Sequence, residues 1–290
     1  MDEFKKNLKV SPGVRLFIYL ISILVCTLIG TAVTLFLAIG NNIDLLKLGQ
    51  AISSTLMFVA PPLILYAFTR TQPMREIGFR KPNNAWMLLI GVALMFVSLP
   101  LTNQLTTWNE NMKLGPAFDW LEALLQMMEE TAGDITERML QVDTIGGMLV
   151  NLLVVALIPA VGEELTFRGV LQQALHRGCK NAHVAVWLSA FIFSFIHFQF
   201  YGFLPRMFLG LILGYLFYYS SSLWTSILMH LVNNGTAVVV AYLDYKGIVD
   251  VDMEHFGATS SLWLILLSFV VTVGLVFLSN KINLRYGRKQ

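Results

Sequence analysis

The chain has 290 residues, of which 56% are apolar and 13% charged, and its mean hydropathy is +0.66. That composition excludes an ordinary soluble domain and describes a protein whose solvent is largely lipid. A net charge of +2 makes no case for nucleic-acid binding, and two cysteines, Cys26 and Cys179, neither build a disulfide framework nor match a zinc-ligand spacing.

Apolar segments long enough to cross a ~30 Å hydrocarbon layer at ~1.5 Å per helical residue are read at 16–40, 49–69, 85–102, 146–170, 184–204, 207–220, 223–243 and 261–279. The expected fold class is all-α, a polytopic membrane bundle of about eight transmembrane helices. Three regions follow: N-terminal helices over 1–145, ending in an acidic segment at 103–145; a core over 146–243; and an outer loop, last helix and basic tail over 244–290. The first apolar segment is too long for a cleavable signal peptide, so it is expected to stay. Pro61 and Pro62 are expected to kink or interrupt the second helix, because two missing amide donors break its ladder.

With a cytoplasmic N-terminus the inner segments hold Lys5, Lys6, Lys9, Arg15, Arg70, Arg75, Arg80, Lys81, Arg177, Lys180, Lys281, Arg285, Arg288 and Lys289. The outer ones hold Lys47, Lys113, Arg138, Arg206 and Lys246. This bias places both termini inside, in keeping with an even helix count. In 103–145, Phe118, Trp120, Leu121, Leu124, Leu125 and Met128 fall at helical spacing among acids, which predicts an amphipathic helix at the outer surface, either a packed connector or a lid. Gly210 and Gly214 form a small-xxx-small pair expected to serve helix packing.

Between residues 145 and 170 the ionisable residues are Glu163, Glu164 and Arg168. A charge in the bilayer core costs at least ~2.5–3.5 kcal/mol, so such groups face a protein interior or a wet cavity and usually serve a function. Glu164 and Arg168 stand four apart with the acid on the N-terminal side, the favoured order for an intrahelical ion pair. Glu163 projects ~100° away round the helix and is expected to keep no cation, which suits a general base. Both glutamates sharing Arg168 as structural glue is the competing arrangement. Phe193 and His197 in the fifth helix, and His230 and Asn234 in the seventh, are likewise four apart. If the fourth helix turns near 178–182, Glu163 lies ~22 Å before the turn and His197 ~20 Å after it, so a hairpin sets them at one height.

EExxxR at Glu163, Glu164 and Arg168, FxxxH at Phe193 and His197, and HxxxN at His230 and Asn234 together resemble the CPBP family of intramembrane endopeptidases. It is also called the Abi or CAAX-protease family and is typified by type II CAAX prenyl endopeptidase. The resemblance covers about residues 146–243. It implies peptide hydrolysis within the bilayer, with Glu163 as the base that activates water, His197 orienting that water, and His230 and Asn234 donating to the oxyanion. It further implies that Glu164 and Arg168 orient the base while Phe193 packs behind His197, and that no cofactor is needed.

Three alternatives stand beside it: a zinc protease with Glu163, His197 and His230 as ligands; a non-catalytic scaffold or bacteriocin immunity protein; and a transporter. The expected partners are membrane lipid and a peptide or protein substrate, lipid-modified or membrane-embedded, and the short loops suggest a bacterial inner membrane. The sequence does not set the oligomeric state. Phe195, Phe198, Gln199, Tyr201, Gln172 and Gln173 are candidates for shaping the cavity, and His176, His183 and His255 are assigned no chemistry.

Overall fold

The computed structural model describes residues 11–69, 77–251 and 256–286. Lys5, Lys6, Lys9, Arg70, Arg75, Arg288 and Lys289 of the charge pattern, and His255, lie outside them. Among the described residues every regular element is helical. They run α1 (Pro12–Ala38), α2 (Ile43–Ser54), α3 (Ala60–Thr69), α4 (Trp86–Val97), α5 (Leu99–Glu110), α6 (Asp119–Leu140), α7 (Ile145–Asn151), α8 (Ile158–Glu164), α9 (Gln173–Cys179), α10 (Ala182–Phe195), α11 (Phe203–Ser220), α12 (Leu223–Tyr245) and α13 (Leu262–Tyr286). Wider π-helical turns at Thr55–Val59, Leu152–Leu157 and Leu165–Gln172 splice α2 to α3, α7 to α8 and α8 to α9.

The chain is therefore an integral multi-pass membrane protein. Each of the eight anticipated segments contains helix, but six are long and apolar enough to span alone: 13–38, 43–68, 145–179, 203–220, 223–245 and 262–285. The pair α4 and α5, bent by 45° where Pro100 enters, is long and apolar enough only when its two helices are taken together. The expected fifth span is shorter than its apolar run: α10 stops at Phe195, and 196–202 are irregular, with Phe198 left-handed at φ 52°. Consequently the sixth helix begins at Phe203, and Arg206 belongs to its first turn rather than to an outer loop.

The long 145–179 span sits centrally. Its α8 portion packs against the 55–59 turn and α12, and its 165–172 turn packs against α10. α1 lies outside the second span and α13 outside α4 and α5; their outward faces expose Phe17, Leu28, Phe36, Trp263 and Phe277, as lipid contact requires. Under the centre, Phe58, Phe167 and Phe193 form a buried aromatic cluster.

Two prolines shape this centre by what they lack. Pro61 and Pro62, expected to kink or interrupt the second helix, follow an interruption of its α ladder by a π-helical turn that does not end the span. In that turn the ladder widens, Ala60 N–H bonding Thr55 O five residues back, and Thr166 Oγ1 donates to Phe58 O at 2.7 Å, the carbonyl that the missing amide of Pro62 leaves open. Pro159 leaves Val155 O open in the same way, after a turn in which Ile158 N–H reaches back to Leu153 O. The wide turn after Glu164 also shows carbonyls to side chains: Tyr19 Oη donates to Thr166 O at 3.4 Å and Ser189 Oγ to Phe167 O at 3.3 Å.

Candidate active site

Charge burial sorts the EExxxR residues first. Glu164 and Arg168, 0% and 1% exposed, form an ion pair of 2.7 Å. Arg168 Nη2 also donates to Gly210 O at 2.8 Å, and its guanidinium lies 4.9 Å from the Phe193 ring centroid. One turn on, Gln172 Nε2 donates to Gly214 O at 3.0 Å. The Gly210–Gly214 pair thus does more than pack. A Cβ at Gly210 would come within 3.1 Å of Ala190 Cβ and one at Gly214 within 3.0 Å of Gln172 Oε1, so glycine brings two carbonyls within reach of two side chains spaced by the same helical turn.

Glu163 is left without Arg168, as the geometry of the helix requires. Its closest charged contact is His230 Nε2, 3.8 Å from Oε2. His230 Nδ1 meets Glu164 Oε1 at 3.0 Å, so the imidazole bridges the two carboxylates. Because a carboxylate accepts, Nδ1 carries a hydrogen there, and Nε2 carries one only in the imidazolium.

His197 stands just past the end of α10, where its Nδ1 lies 2.7 Å from Phe193 O. A carbonyl can only accept, so Nδ1 is the protonated nitrogen and Nε2 of the neutral ring has a free lone pair. The FxxxH spacing is thereby a cap: the histidine satisfies the carbonyl four residues back that the terminated helix orphans. Phe193 packs edge-on to both His197 and His230, at 5.2 and 6.2 Å between centroids.

Asn234 Oδ1 accepts from Asn233 Nδ2 at 3.0 Å, and its own Nδ2 donates to Val155 O at 3.4 Å, the carbonyl opened by Pro159. The amide is thus held with its acceptor occupied and one N–H to spare.

Glu163, Phe193, His197, His230 and Asn234 line one cavity of about 360 Å³, joined by Asn233, Arg206, Gly202, Pro205, Leu209 and Ile212, and by Met95, Ser98, Leu99 and Thr102 from the bent α4–α5 pair. Among the described residues no group of three or more His, Cys, Asp or Glu side chains is arranged to hold a metal ion. Phe195, Phe198, Gln199, Tyr201, Gln172 and Gln173 are not among the lining residues, against expectation. Phe195 and Phe198 point outward at 57% and 61% exposure, Gln172 and Gln173 bond the carbonyls of Gly214 and Gly169, Gln199 holds Arg206 and Tyr201 N–H is bound by Glu129.

The irregular 196–202 stretch is held from outside the core. Asn109 of α5, 1% exposed, donates to Phe200 O at 2.9 Å and accepts from Leu204 N–H at 2.6 Å. Glu129 of α6 accepts from Tyr201 N–H at 3.1 Å. The amphipathic helix makes this contact through Glu129 while Trp120 and Leu124 of its apolar stripe stay exposed, and none of its residues is among those lining the cavity. Asn109, Glu129, Asn233 and Arg206 escaped the sequence reading. The positional signal was present for Asn233, beside Asn234, and for Arg206, the one Asp, Glu, Lys or Arg between Lys180 and Asp244.

No curated protein and no solved structure matches the chain. A family model does: residues 145–236 match type II CAAX prenyl endopeptidase Rce1-like. The matched stretch runs from α7 into α12 and contains Glu163, Glu164, Arg168, Phe193, His197, His230 and Asn234. Over residues 145–236 this membrane protein is therefore similar to the Rce1-like type II CAAX prenyl endopeptidases.

Proposed function

We propose that the chain is an intramembrane endopeptidase that hydrolyses a peptide bond of a membrane-associated or lipid-modified substrate through a water activated by Glu163. The observation that carries this reading is the division of labour between adjacent carboxylates: Glu164 is neutralised by Arg168, while Glu163 faces a cavity it shares with His197, His230 and Asn234. In the proposed reaction Glu163 takes a proton from water as the oxygen bonds to the scissile carbonyl carbon. The lone pair on His197 Nε2 accepts the other hydrogen of that water and fixes its direction of attack. The oxyanion is stabilised by the spare N–H of Asn234 and by Nε2–H of His230 in its imidazolium form, worth ~2.7–4 kcal/mol per donor. Collapse breaks the C–N bond, and Glu163 returns its proton to the leaving amine. Glu164, Arg168 and Phe193 hold the helix and both histidine rings in place. No step calls on a metal. The setting that suits this chemistry is a bacterial inner membrane with both termini cytoplasmic, the orientation favoured by the charge bias.

The test is cleavage of a fluorogenic prenylated CAAX-type peptide by the purified protein in liposomes, with Glu163→Gln beside the wild type. Cleavage by the wild type that vanishes in the variant is the expected result. Equal cleavage by both removes Glu163 from the mechanism.

A further inference from the structure

Arg206 stands in the first turn of α11 and lines the same cavity as Glu163 and His197. Its guanidinium donates to neutral acceptors only: Nη2 to Gln199 Oε1 at 2.8 Å and Nη1 to Gln199 O at 3.4 Å. Among the described residues it takes part in no salt bridge, and the neighbouring Glu129 accepts from the Tyr201 amide instead. Glu129 and Glu163 act on its charge from a distance without forming an ion pair, and a partly buried cation with no anion in contact is costly. A cavity wall is where such a charge persists when an arriving ligand neutralises it. The planar guanidinium fork is matched to a carboxylate, and a cavity of about 360 Å³ holds no more than a few residues of extended chain.

Building on the endopeptidase reading, we propose that Arg206 is an anion subsite that binds a carboxylate of the peptide substrate within a few residues of the scissile bond. The carboxylate is the chain's own C-terminus or an acidic side chain near it. Arg206 in this role determines which peptides are held, whereas Glu163 determines whether they are cut, and the two are separable by experiment.

The probes are three farnesylated fluorescent peptides of one sequence: a free C-terminal acid, a C-terminal amide, and an amide whose last residue is Asp. Binding is measured by anisotropy to full-length Glu163→Gln protein in liposomes, with and without Arg206→Met or Arg206→Lys, and turnover is measured with Glu163 intact. The acid is expected to bind at least about tenfold more tightly than the amide, with the ratio falling toward one in Arg206→Met and only partly in Arg206→Lys. Tight binding of the Asp amide assigns the subsite to a side chain, and weak binding assigns it to the C-terminus. Equal binding of all three peptides overturns the proposal. So does an Arg206→Met variant that weakens both peptides by one factor, since that marks a purely structural support of the 196–202 stretch. Arg206-dependent preference in a protein that cleaves none of the peptides leaves the subsite standing and overturns the endopeptidase reading alone.

Discussion

Glu163→Gln and Glu164→Gln make the same chemical change at adjacent residues and should have opposite consequences. At 164 the loss is structural: Arg168 keeps Gly210 O and the Phe193 ring but loses its only ion pair among the described residues, at 1% exposure, and His230 loses the carboxylate bonded to Nδ1. Removing one partner of a buried pair costs about 3–5 kcal/mol, because the surviving charge is stranded. At roughly 2–4 °C per kcal/mol for a chain of this size, the expected fall in Tm is on the order of 10 °C. At 163 the carboxylate faces the cavity with His230 Nε2 at 3.8 Å, so the neutral amide relieves a buried charge and should leave Tm level or raise it. Thermal unfolding of both variants in one detergent, followed by tryptophan fluorescence, reads the difference. A Glu164→Gln protein as stable as wild type, or a Glu163→Gln protein equally destabilised, refutes the assignment of Arg168 to Glu164 alone.

Thr166→Val should cost about 1–3 kcal/mol by stranding Phe58 O, and Pro62→Ala, which restores an amide facing that carbonyl, should recover part of it; strict additivity in the double mutant rules out the exchange. Asn234→Ala should lower kcat by about 10²–10³-fold with little change in KM, and an effect confined to KM would remove it from the oxyanion site. Burial pushes the Glu129 carboxyl above its ordinary value of 4.5, so the folded state holds the proton more tightly than the unfolded state. Stability should therefore fall as pH rises from 4.5 through the folded value and then level off. Glu129→Gln should flatten that segment of a Tm–pH profile, and an unchanged profile excludes Glu129 as its source. Cleavage should persist after dialysis against EDTA and 1,10-phenanthroline; its loss, with recovery on adding zinc, would favour Glu163, His197 and His230 as metal ligands.

The bundle and the meeting of Glu163, His197, His230 and Asn234 at one cavity were legible because membrane helices advertise themselves by composition and helical spacing is rigid. Glu164 and Arg168 pair as four-residue spacing dictates, and the chain turns at Lys180, where the matching heights of Glu163 and His197 required. What failed was reading by apolarity alone. Ile196, Phe198, Phe200 and Tyr201 are as hydrophobic as the helix before them, so the end of α10 left no trace in composition. Its backbone is satisfied instead by Asn109 and Glu129, about 70 to 90 residues earlier in the chain, a pairing that local spacing cannot show. The proline-freed carbonyls are hidden for the same reason: a missing donor is visible in sequence, but its replacement on another helix is not.

The early end of α10 bears on how water reaches a reaction inside lipid. At 14 residues the helix is ~21 Å long, some way short of a ~30 Å hydrocarbon layer. A helix of that length that starts at one headgroup level ends, with His197, inside the hydrocarbon layer, where lipid cannot satisfy open peptide groups and only protein or solvent can. A helix this short leaves room for a water-filled dimple on that side of the bilayer. Hydrolysis needs one water per bond cut, and a dimple supplies it from the adjacent aqueous phase without a pore through the membrane, so a protein of this shape can stay hydrated at its centre while remaining sealed to ions.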